Sequence, residues 1–278
     1  MPISDLQADI LSCIAVNRSP DSYLAGATVL HRKPKSPRYS QDLDFFHDVS
    51  DSIASSAERD AETLQAAGYR FEWLLRTPSF YRAVVIVQQQ QLKLEWAQDS
   101  AFRFFPVETD ARLGYRLHDA DAATNKMLAL AGRSEIRDFV DILFLHETYL
   151  SLGALVWAAC GKDPGFTPDL LLDQAGRHTA YTQQNLNQLS LREPLDLRTM
   201  KKCWMAASED AKSLVDALPP QELGCLYLNA QQHPVNPDPQ SDAFGTLTRH
   251  QGCIRGAWPT LAPSVRSPKS GDLDHHTA

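Results

Sequence analysis

The sequence predicts an α+β protein in which a part made of strands and helices precedes a helical subdomain. Over residues 1–118, runs rich in aromatic and β-branched residues alternate with segments of helical apolar spacing. From 119 to 228 the apolar residues recur mainly at helical spacing, and from 229 the chain is rich in proline, histidine, glutamine and aspartate. We therefore divide the chain into a core at 1–118, a helical subdomain at 119–228 and an irregular, partly disordered tail at 229–278.

Composition limits the function classes that fit. The chain has 278 residues, of which 43% are hydrophobic, and this is enough for a large core. A net charge of -7 excludes a polycation that coats nucleic acid, so any nucleic-acid contact needs a local basic patch. No apolar run is long enough to cross a bilayer, and the acidic N-terminus lacks the basic start of a signal peptide. We expect a cytoplasmic protein without a membrane partner.

The N-terminal third contains a strand, a turn and a basic loop. Apolar spacing predicts a helix within 2–17, followed by a short strand at Tyr23–Ala25 and a helix that starts at Gly26 and ends before Pro34. Residues 31–38 contain four basic residues around two prolines, and we expect an exposed, positively charged loop there. The sequence favours phosphate or RNA contact and a merely solubilising role equally.

The next strand carries Asp42 and Asp44. Because side chains alternate along a strand, these carboxylates share one face, while Leu43 and Phe45 point into the core. Acidic pairs at strand ends are common, but oxygen ligands on one face also suit a divalent cation. The preceding turn at Gly26 would let backbone N–H groups approach a phosphate that the cation bridges. The turn and the carboxylate pair together predict a metal–phosphate site.

Three strand-like runs follow a helix over 52–67, at 69–75, 81–87 and 92–97. In the last run, alternation places Leu92, Leu94 and Trp96 on one face and Lys93 and Glu95 on the other. Glu95 is therefore a candidate third carboxylate of the site. If it is instead an ordinary surface residue, the site contains two carboxylates.

Charge is concentrated on two predicted helices, at 119–132 and 134–150. Asp138 and Asp141 are three residues apart, and Arg137 lies four residues before Asp141, so they share one sector of the second helix. An ion-pair network at the helix start would explain this pattern, but we favour a functional role for at least one of the two acids. The spacing of Asp138 and Asp141 does not decide which of them has that role. Further helices are predicted at 152–159, 168–174, 179–189 and 197–218.

Two motifs resemble a known family. Gly26-Ala27-Thr28, followed by the run from Ser40 to Phe46, resembles the signature of the polymerase-β-like nucleotidyltransferase superfamily. The run 124–130, then Arg133 and 137–141, resembles the downstream motif of the AbiEii/AbiGii toxin family, to which the MenT toxins are related. The resemblance covers about residues 20–150. It implies a polymerase-β-like nucleotidyltransferase core at 1–118, in which a mixed sheet is flanked by helices. It also implies a nucleotide site to which the helical subdomain contributes.

The resemblance also implies residue roles. Mg²⁺, or Mn²⁺ in its place, would be held by Asp42, Asp44 and Glu95. The residues implied in catalysis are those three together with Lys126 and the acidic residue of the later helix, Asp138 or Asp141. The residues implied in nucleotide binding are Gly26, Ala27, Thr28, Arg38, Ser40, Lys126 and Arg133. Ala27 departs from the glycine or serine that is commoner in the family, which removes a hydroxyl contact but keeps the backbone donors.

The function implied is transfer of a nucleoside monophosphate from an NTP to an acceptor, with release of pyrophosphate. The expected acceptor is RNA, in particular the 3′ end of tRNA, or a protein, and the family analogy adds a toxin role with a cognate antitoxin. One alternative is a nucleotide-binding or interaction module of the same fold that transfers nothing. Another is a nucleotidyltransferase that modifies a small molecule. Metal-dependent incorporation of labelled NTP distinguishes transfer from binding.

Overall fold

The computed structural model describes residues 3–32, 35–133, 135–177 and 180–259. Its strands are β1 (Tyr23–Ala25), β2 (Asp42–His47), β3 (Arg70–Thr77), β4 (Phe80–Val87), β5 (Gln90–Gln98), β6 (Phe102–Arg103), β7 (Glu108–Asp110), β8 (Gly114–Arg116), β9 (Leu226–Leu228), β10 (Thr248–His250) and β11 (Cys253–Ile254). Its α-helices are α1 (Asp5–Ile14), α2 (Gly26–His31), α3 (Ile53–Ala66), α4 (Asp119–Gly132), α5 (Ile136–Thr148), α6 (Leu152–Lys162), α7 (Pro168–Ala175), α8 (Gln183–Asn187) and α9 (Leu197–Ala217).

A mixed sheet forms the centre of the described chain. Its strand order is β3-β4-β5-β2-β1-β8-β7. Strand β2 pairs antiparallel with β1 and parallel with β5, whereas β3, β4 and β5 form an antiparallel meander. The predicted mixed sheet flanked by helices is confirmed. Strands β7 and β8 were not predicted from the sequence, because three residues are too few to show a period of two.

Alternation along β2 and β5 separates a core face from a polar face. Leu43 and Phe45 on β2 are fully buried, as are Leu94 and Trp96 on β5. Helix α3 packs on this apolar face, where the indole N–H of Trp96 donates a hydrogen bond to Asp60. Burial of each large apolar side chain contributes roughly 1.5–3 kcal/mol, so this face strongly constrains the register of β2 and β5. The opposite face is the one that carries the acidic residues.

The helices after the sheet pack on one another and on α2. Helix α6 is buried between α4 and α9, and α4 also contacts α2 and α5. The predicted helix over 179–189 is shorter in the structure, where α8 spans Gln183–Asn187, and Thr179 lies outside the described residues.

The segment that follows residue 229 contacts both the predicted core at 1–118 and the predicted helical subdomain at 119–228. Strand β10 pairs with β9, and β11 pairs with β6. The division into three parts at 118 and 228 stays a prediction. The segment 267–278, for which we predicted disorder, lies outside the described residues.

Membrane spans were sought in the same described ranges. No single helix there is both long and apolar enough to cross a bilayer. Helices α5 and α6 reach the required length and apolarity only as a pair, and they are bent by 116° at the break between them.

Candidate active site

The turn between β1 and α2 lies against the carboxylate of Asp44. Gly26 has a φ of +63°, and a Cβ atom at this position would lie 1.9 Å from Oδ2 of Asp44. A side chain is therefore excluded both by backbone conformation and by contact. Within the described ranges, the carboxylate of Asp44 accepts no hydrogen bond and forms no ion pair. The glycine thus lets the backbone of residue 26 lie directly against the carboxylate of Asp44.

Three carboxylates meet on the polar face of the sheet. Asp42 and Asp44 lie on the same side of β2, and Glu95 on β5 is the direct neighbour of Asp44 in the parallel pairing. Burial, together with the nearby charges of Asp42 and Glu95, raises the pKa of Asp44 to about 7. The predicted side-chain alternation on both strands is confirmed, and it brings Glu95 to the aspartate pair.

The ammonium group of Lys93 lies between two of these carboxylates. Its Nζ is 3.1 Å from Oδ2 of Asp42 and 3.0 Å from Oε1 of Glu95. Each of these two carboxylates also pairs with a guanidinium group: Arg137 lies 3.7 Å from Asp42, and Arg82 lies 2.8 Å from Glu95. Burial alone would raise the pKa of Asp42, but Lys93 and Arg137 outweigh it and hold that pKa below its usual value.

A basic wall stands beside the acidic face. Nζ of Lys126, on α4, lies 2.9 Å from Oδ1 of Asp138 and 3.1 Å from Oδ2 of Asp141, both on α5. Nε of Arg133 donates to Oδ2 of Asp138 at 2.7 Å. Burial would raise the pKa of Asp138, but Lys126 and Arg133 lower it below its usual value. The two helices are thus joined by a charged cluster of which Lys126 is the centre.

Asp141 binds three basic side chains in the interior. Arg38 donates from Nε and Nη2 to its two oxygens at 2.7 and 2.6 Å, and Nε2 of His31 lies 2.8 Å from Oδ1. Against the effect of burial, His31, Lys126 and Arg38 hold the pKa of Asp141 well below its usual range. The prediction that Arg38 lies on an exposed basic loop is wrong, because its guanidinium is buried against Asp141. Lys33 and Pro34 of that loop lie outside the described residues.

A cavity of about 240 Å³ lies between the acidic face and the basic wall. Among the predicted site residues, those that line it are Gly26, Ala27, Arg38, Asp42, Asp44, Glu95, Lys126 and Arg133. Four other predicted residues do not line it, namely Thr28, Ser40, Asp138 and Asp141. The hydroxyl groups of Thr28 and Ser40 instead donate to the backbone carbonyl of Asp42, at 2.8 and 3.0 Å. Thr28 and Ser40 therefore fix the backbone of Asp42 through its carbonyl group.

Sequence reasoning assigned no site role to two polar residues that line this cavity. Arg137 was placed in a charged sector of its helix, and Asn125 lies one residue before Lys126. The side-chain oxygen of Asn125 accepts a hydrogen bond from Lys162 at 2.7 Å. A signal existed for Arg137, since it lies in the charged sector of its helix with Asp138 and Asp141, whereas Arg133 follows the end of α4 in an extended conformation. For Asn125 the signal was its place in the run 124–130 that resembles the family motif, from which only Lys126 was given a role.

The chemistry of the acidic face suits a divalent metal ion. Among the described residues, no group of three or more His, Cys, Asp or Glu side chains is arranged to hold a metal ion. The ammonium of Lys93 already joins two carboxylates there, and the third carboxylate, Asp44, has no partner of its own. Three carboxylates on neighbouring strands, two of them bridged by the ammonium of Lys93, fit the preference of Mg²⁺ and Mn²⁺ for carboxylate ligands.

Comparison with known proteins identifies the fold. No protein-family model matches the chain, and no curated protein matches it. Among solved structures, a protein of H. pylori assigned as a nucleotidyltransferase is 19% identical, with a TM-score of 0.50 over 77% of this chain and 96% of that one. The nucleotidyltransferase toxin MenT4 of Mycobacterium tuberculosis H37Rv is 16% identical, with a TM-score of 0.56 over 78% of this chain and 83% of that one.

These similarities confirm the predicted resemblance at the level of the fold. The chain has the fold of MenT-like nucleotidyltransferases, although few of its residues are identical to theirs. A fold can carry several activities, so the function has to be argued from the site.

Proposed function

We propose that this chain, which shares its fold with nucleotidyltransferases, transfers a nucleoside monophosphate from an NTP to an acceptor hydroxyl and releases pyrophosphate. One observation carries the proposal: a single cavity is lined on one side by Asp42, Asp44 and Glu95 and on the other by the cations of α4 and α5. A metal-bound triphosphate has the matching distribution of charge. Its cation needs carboxylates and its phosphate oxygens need lysine and arginine.

The acidic face would hold Mg²⁺, or Mn²⁺ in its place. A bound divalent ion supplies neutralisation of the triphosphate and alignment of the acceptor hydroxyl with the α-phosphorus. In this assignment Asp42, Asp44 and Glu95 are the ligands. Support comes from the close approach of like charges on β2 and β5, which is unfavourable until a cation is added.

The basic wall would bind the phosphates. Lys126 and Arg133 line the cavity on α4 and its C-terminal end, where they would offset charge on the departing pyrophosphate. The backbone at Gly26 and Ala27 lies on the same cavity, and its N–H groups would donate to phosphate oxygens. Arg38 would reach the cavity from its ion pair with Asp141.

Several predicted site residues would act through others. Asp138 and Asp141 bind Lys126 and lie outside the cavity lining, so we assign them as positioning residues that aim its ammonium group. Thr28 and Ser40 would fix the backbone of Asp42 in the same way. This assignment replaces the choice between Asp138 and Asp141 with a shared role, because Lys126 bridges both.

The acceptor and the biological role follow from fold analogy. We extend the proposal to RNA as acceptor, specifically the 3′ end of tRNA, in a cytoplasmic toxin that has a cognate antitoxin. Its support is the fold similarity to MenT4, a nucleotidyltransferase toxin. A protein acceptor or a small-molecule acceptor would use the same cavity and the same leaving group.

The test is incubation of the purified protein with each α-labelled NTP, Mg²⁺ or Mn²⁺, and total RNA. We expect label in RNA of tRNA size, an equivalent release of pyrophosphate, and neither product in EDTA. Asp44→Asn is the matched variant, since it keeps the shape of the side chain and removes its charge.

Other outcomes separate the alternatives. Label in the protein fraction or in an added small molecule would keep transferase activity and change the acceptor. Tight NTP binding without any covalent product, with every metal and acceptor, would contradict transfer and favour a nucleotide-binding module.

A further inference from the structure

A second cavity adjoins the first along the wall formed by Asp42 and Arg137. It has a volume of about 810 Å³, and both residues line both cavities. Its floor is apolar, with Leu74, Val84 and Ile86 of the meander. Its lining offers the side-chain amides of Gln41, Gln90 and Gln91, whereas the amide of Gln7 is buried and already bonded to the backbone of Ser4 and Ser40. Glu72 adds one carboxylate to the lining. An apolar floor with an amide rim suits nucleobases and ribose better than it suits phosphate.

The cations of this second cavity are engaged with the first. Lys93 and Arg137 line it, and both contact Oδ2 of Asp42, at 3.1 and 3.7 Å. Nε of Arg137 is buried and has no hydrogen-bond partner among the described residues. Arg137 is therefore only weakly satisfied where it stands. Both side chains are half-buried, so they can reorient without leaving a cavity in the core.

We propose that Lys93 and Arg137 form a metal-dependent phosphodiester site in the second cavity. Without a divalent cation, Asp42 and Glu95 retain Lys93, and Asp42 retains Arg137. When a divalent cation takes over the charge of Asp42, both basic groups are released towards the second cavity, where they bind a phosphate of an acceptor RNA strand. Metal binding and acceptor binding are thereby coupled through one carboxylate oxygen. This inference rests on the proposed function for the identity of its ligand.

Coupling of this kind is reciprocal, and it begins with competition. A metal ion must displace the ammonium of Lys93 from two carboxylates, so Lys93 lowers metal affinity in the absence of RNA. The two partly exposed ion pairs are each of modest strength, and their loss should tighten metal binding by about threefold to tenfold. Once Lys93 and Arg137 are released, the protein should in turn bind RNA more tightly than it does without the metal ion.

The first measurement is Mn²⁺ binding by the full chain, without NTP or RNA, followed by electron paramagnetic resonance. Lys93→Met should bind Mn²⁺ about threefold to tenfold more tightly than the unchanged protein. Arg82→Met is the matched control, because it removes a cation from Glu95 that does not line the second cavity. It should alter Mn²⁺ affinity by less than about twofold. Equal effects of the two variants would overturn the competition, since they would reflect net charge alone.

The second measurement is binding of a labelled single-stranded oligoribonucleotide by fluorescence anisotropy, in Mn²⁺ and in EDTA. The unchanged protein and Arg82→Met should bind it several-fold more tightly in Mn²⁺. Lys93→Met and Arg137→Met should lose that difference, and Lys93→Arg should keep most of it. Circular dichroism at the assay temperature confirms that each variant is folded.

Three outcomes would overturn the site. These are equal affinity with and without Mn²⁺ in the unchanged protein, a full Mn²⁺ effect in Lys93→Met, and no binding of the oligoribonucleotide under either condition. None of them depends on nucleotide transfer. A protein that fails the transfer assay but shows the metal-dependent binding would contradict the proposed function and retain the site.

Discussion

Asp44 on β2 lies directly opposite Glu95 on β5, the two residues being partners in a parallel register. They are 51 positions apart in the sequence, and the meander of β3, β4 and β5 brings them together. Neighbouring carboxylates on one face repel each other, and with burial and Asp42 this repulsion accounts for the raised pKa of Asp44. Lys93, Arg137 and Arg82 contact Asp42 and Glu95, so Asp44 is the carboxylate of this face that has no cation in contact with it among the described residues.

Asp44→Asn should abolish nucleotide transfer without unfolding the protein. We expect a loss of at least about 100-fold in rate, because an amide would replace the carboxylate that we propose as a metal ligand. The midpoint of thermal unfolding in metal-free buffer should stay the same or rise, since a repelling charge has been removed. Glu58→Gln, an exposed acid of α3 that lines neither cavity, is the control that should change neither property. Transfer near the original rate in Asp44→Asn would contradict the assignment.

Gly26→Ala should lose both activity and stability. The added methyl group would overlap Oδ2 of Asp44, and the positive φ of residue 26 adds backbone strain of about 1–2 kcal/mol. Gly68→Ala is a matched comparison, because Gly68 also has a positive φ, of +89°, but nothing lies within 4 Å of its Cβ position. Chemical denaturation should show a clearly larger loss for Gly26→Ala. Equal losses would mean that the contact with Asp44 costs nothing.

Asp141→Ala should destabilise the fold strongly. Its loss leaves Arg38 buried without its main partner and removes one of the two carboxylates that bind Lys126, which typically costs about 3–5 kcal/mol. Urea unfolding followed by far-ultraviolet circular dichroism measures this difference. Glu72→Ala, which breaks the exposed pair with Arg70, should cost less than about 1 kcal/mol. Similar costs for the two variants would refute the role of Asp141 as a buried anchor.

His47 should make the protein less stable as the pH falls from about 6.5 to about 4. Burial, aided by Arg18, lowers the pKa of this imidazole to about 4. The unfolded chain takes up a proton near pH 6.5, so between the two pKa values protons favour unfolding, by up to about 3 kcal/mol. Urea unfolding at intervals of pH should reveal this slope. His47→Leu should flatten it, and an unchanged slope in that variant would assign it to other groups.

Local pattern was sufficient for the acidic face. Alternation on two strands predicted that Asp42, Asp44 and Glu95 avoid the core, because Leu43, Phe45, Leu94 and Trp96 must be buried together. The glycine turn before α2 was also visible, since only glycine combines a positive φ with so close a neighbour. These features depend on residues close in sequence, where apolar burial leaves little choice.

Ion pairs between residues far apart in the chain could not be predicted from the sequence pattern. The basic loop suggested exposure for Arg38, yet its guanidinium is buried against Asp141, 103 positions later. In the same way, Lys93 was assigned to the polar face but not to the gap between two carboxylates. A charged side chain has favourable partners of many kinds, and composition does not choose among them.

By itself, the sequence determined strands, helices and an acidic pair on the polar face of one strand, because periodic burial of apolar side chains is a local property. The tertiary structure decided which cations meet those acids. Packing of α4 and α5 beside β2 placed Lys126 on Asp138 and Asp141, and the pairing of β2 with β5 placed Lys93 between Asp42 and Glu95. Ion pairs depend on distances of a few ångströms between elements remote in sequence, and only the folded chain sets those distances.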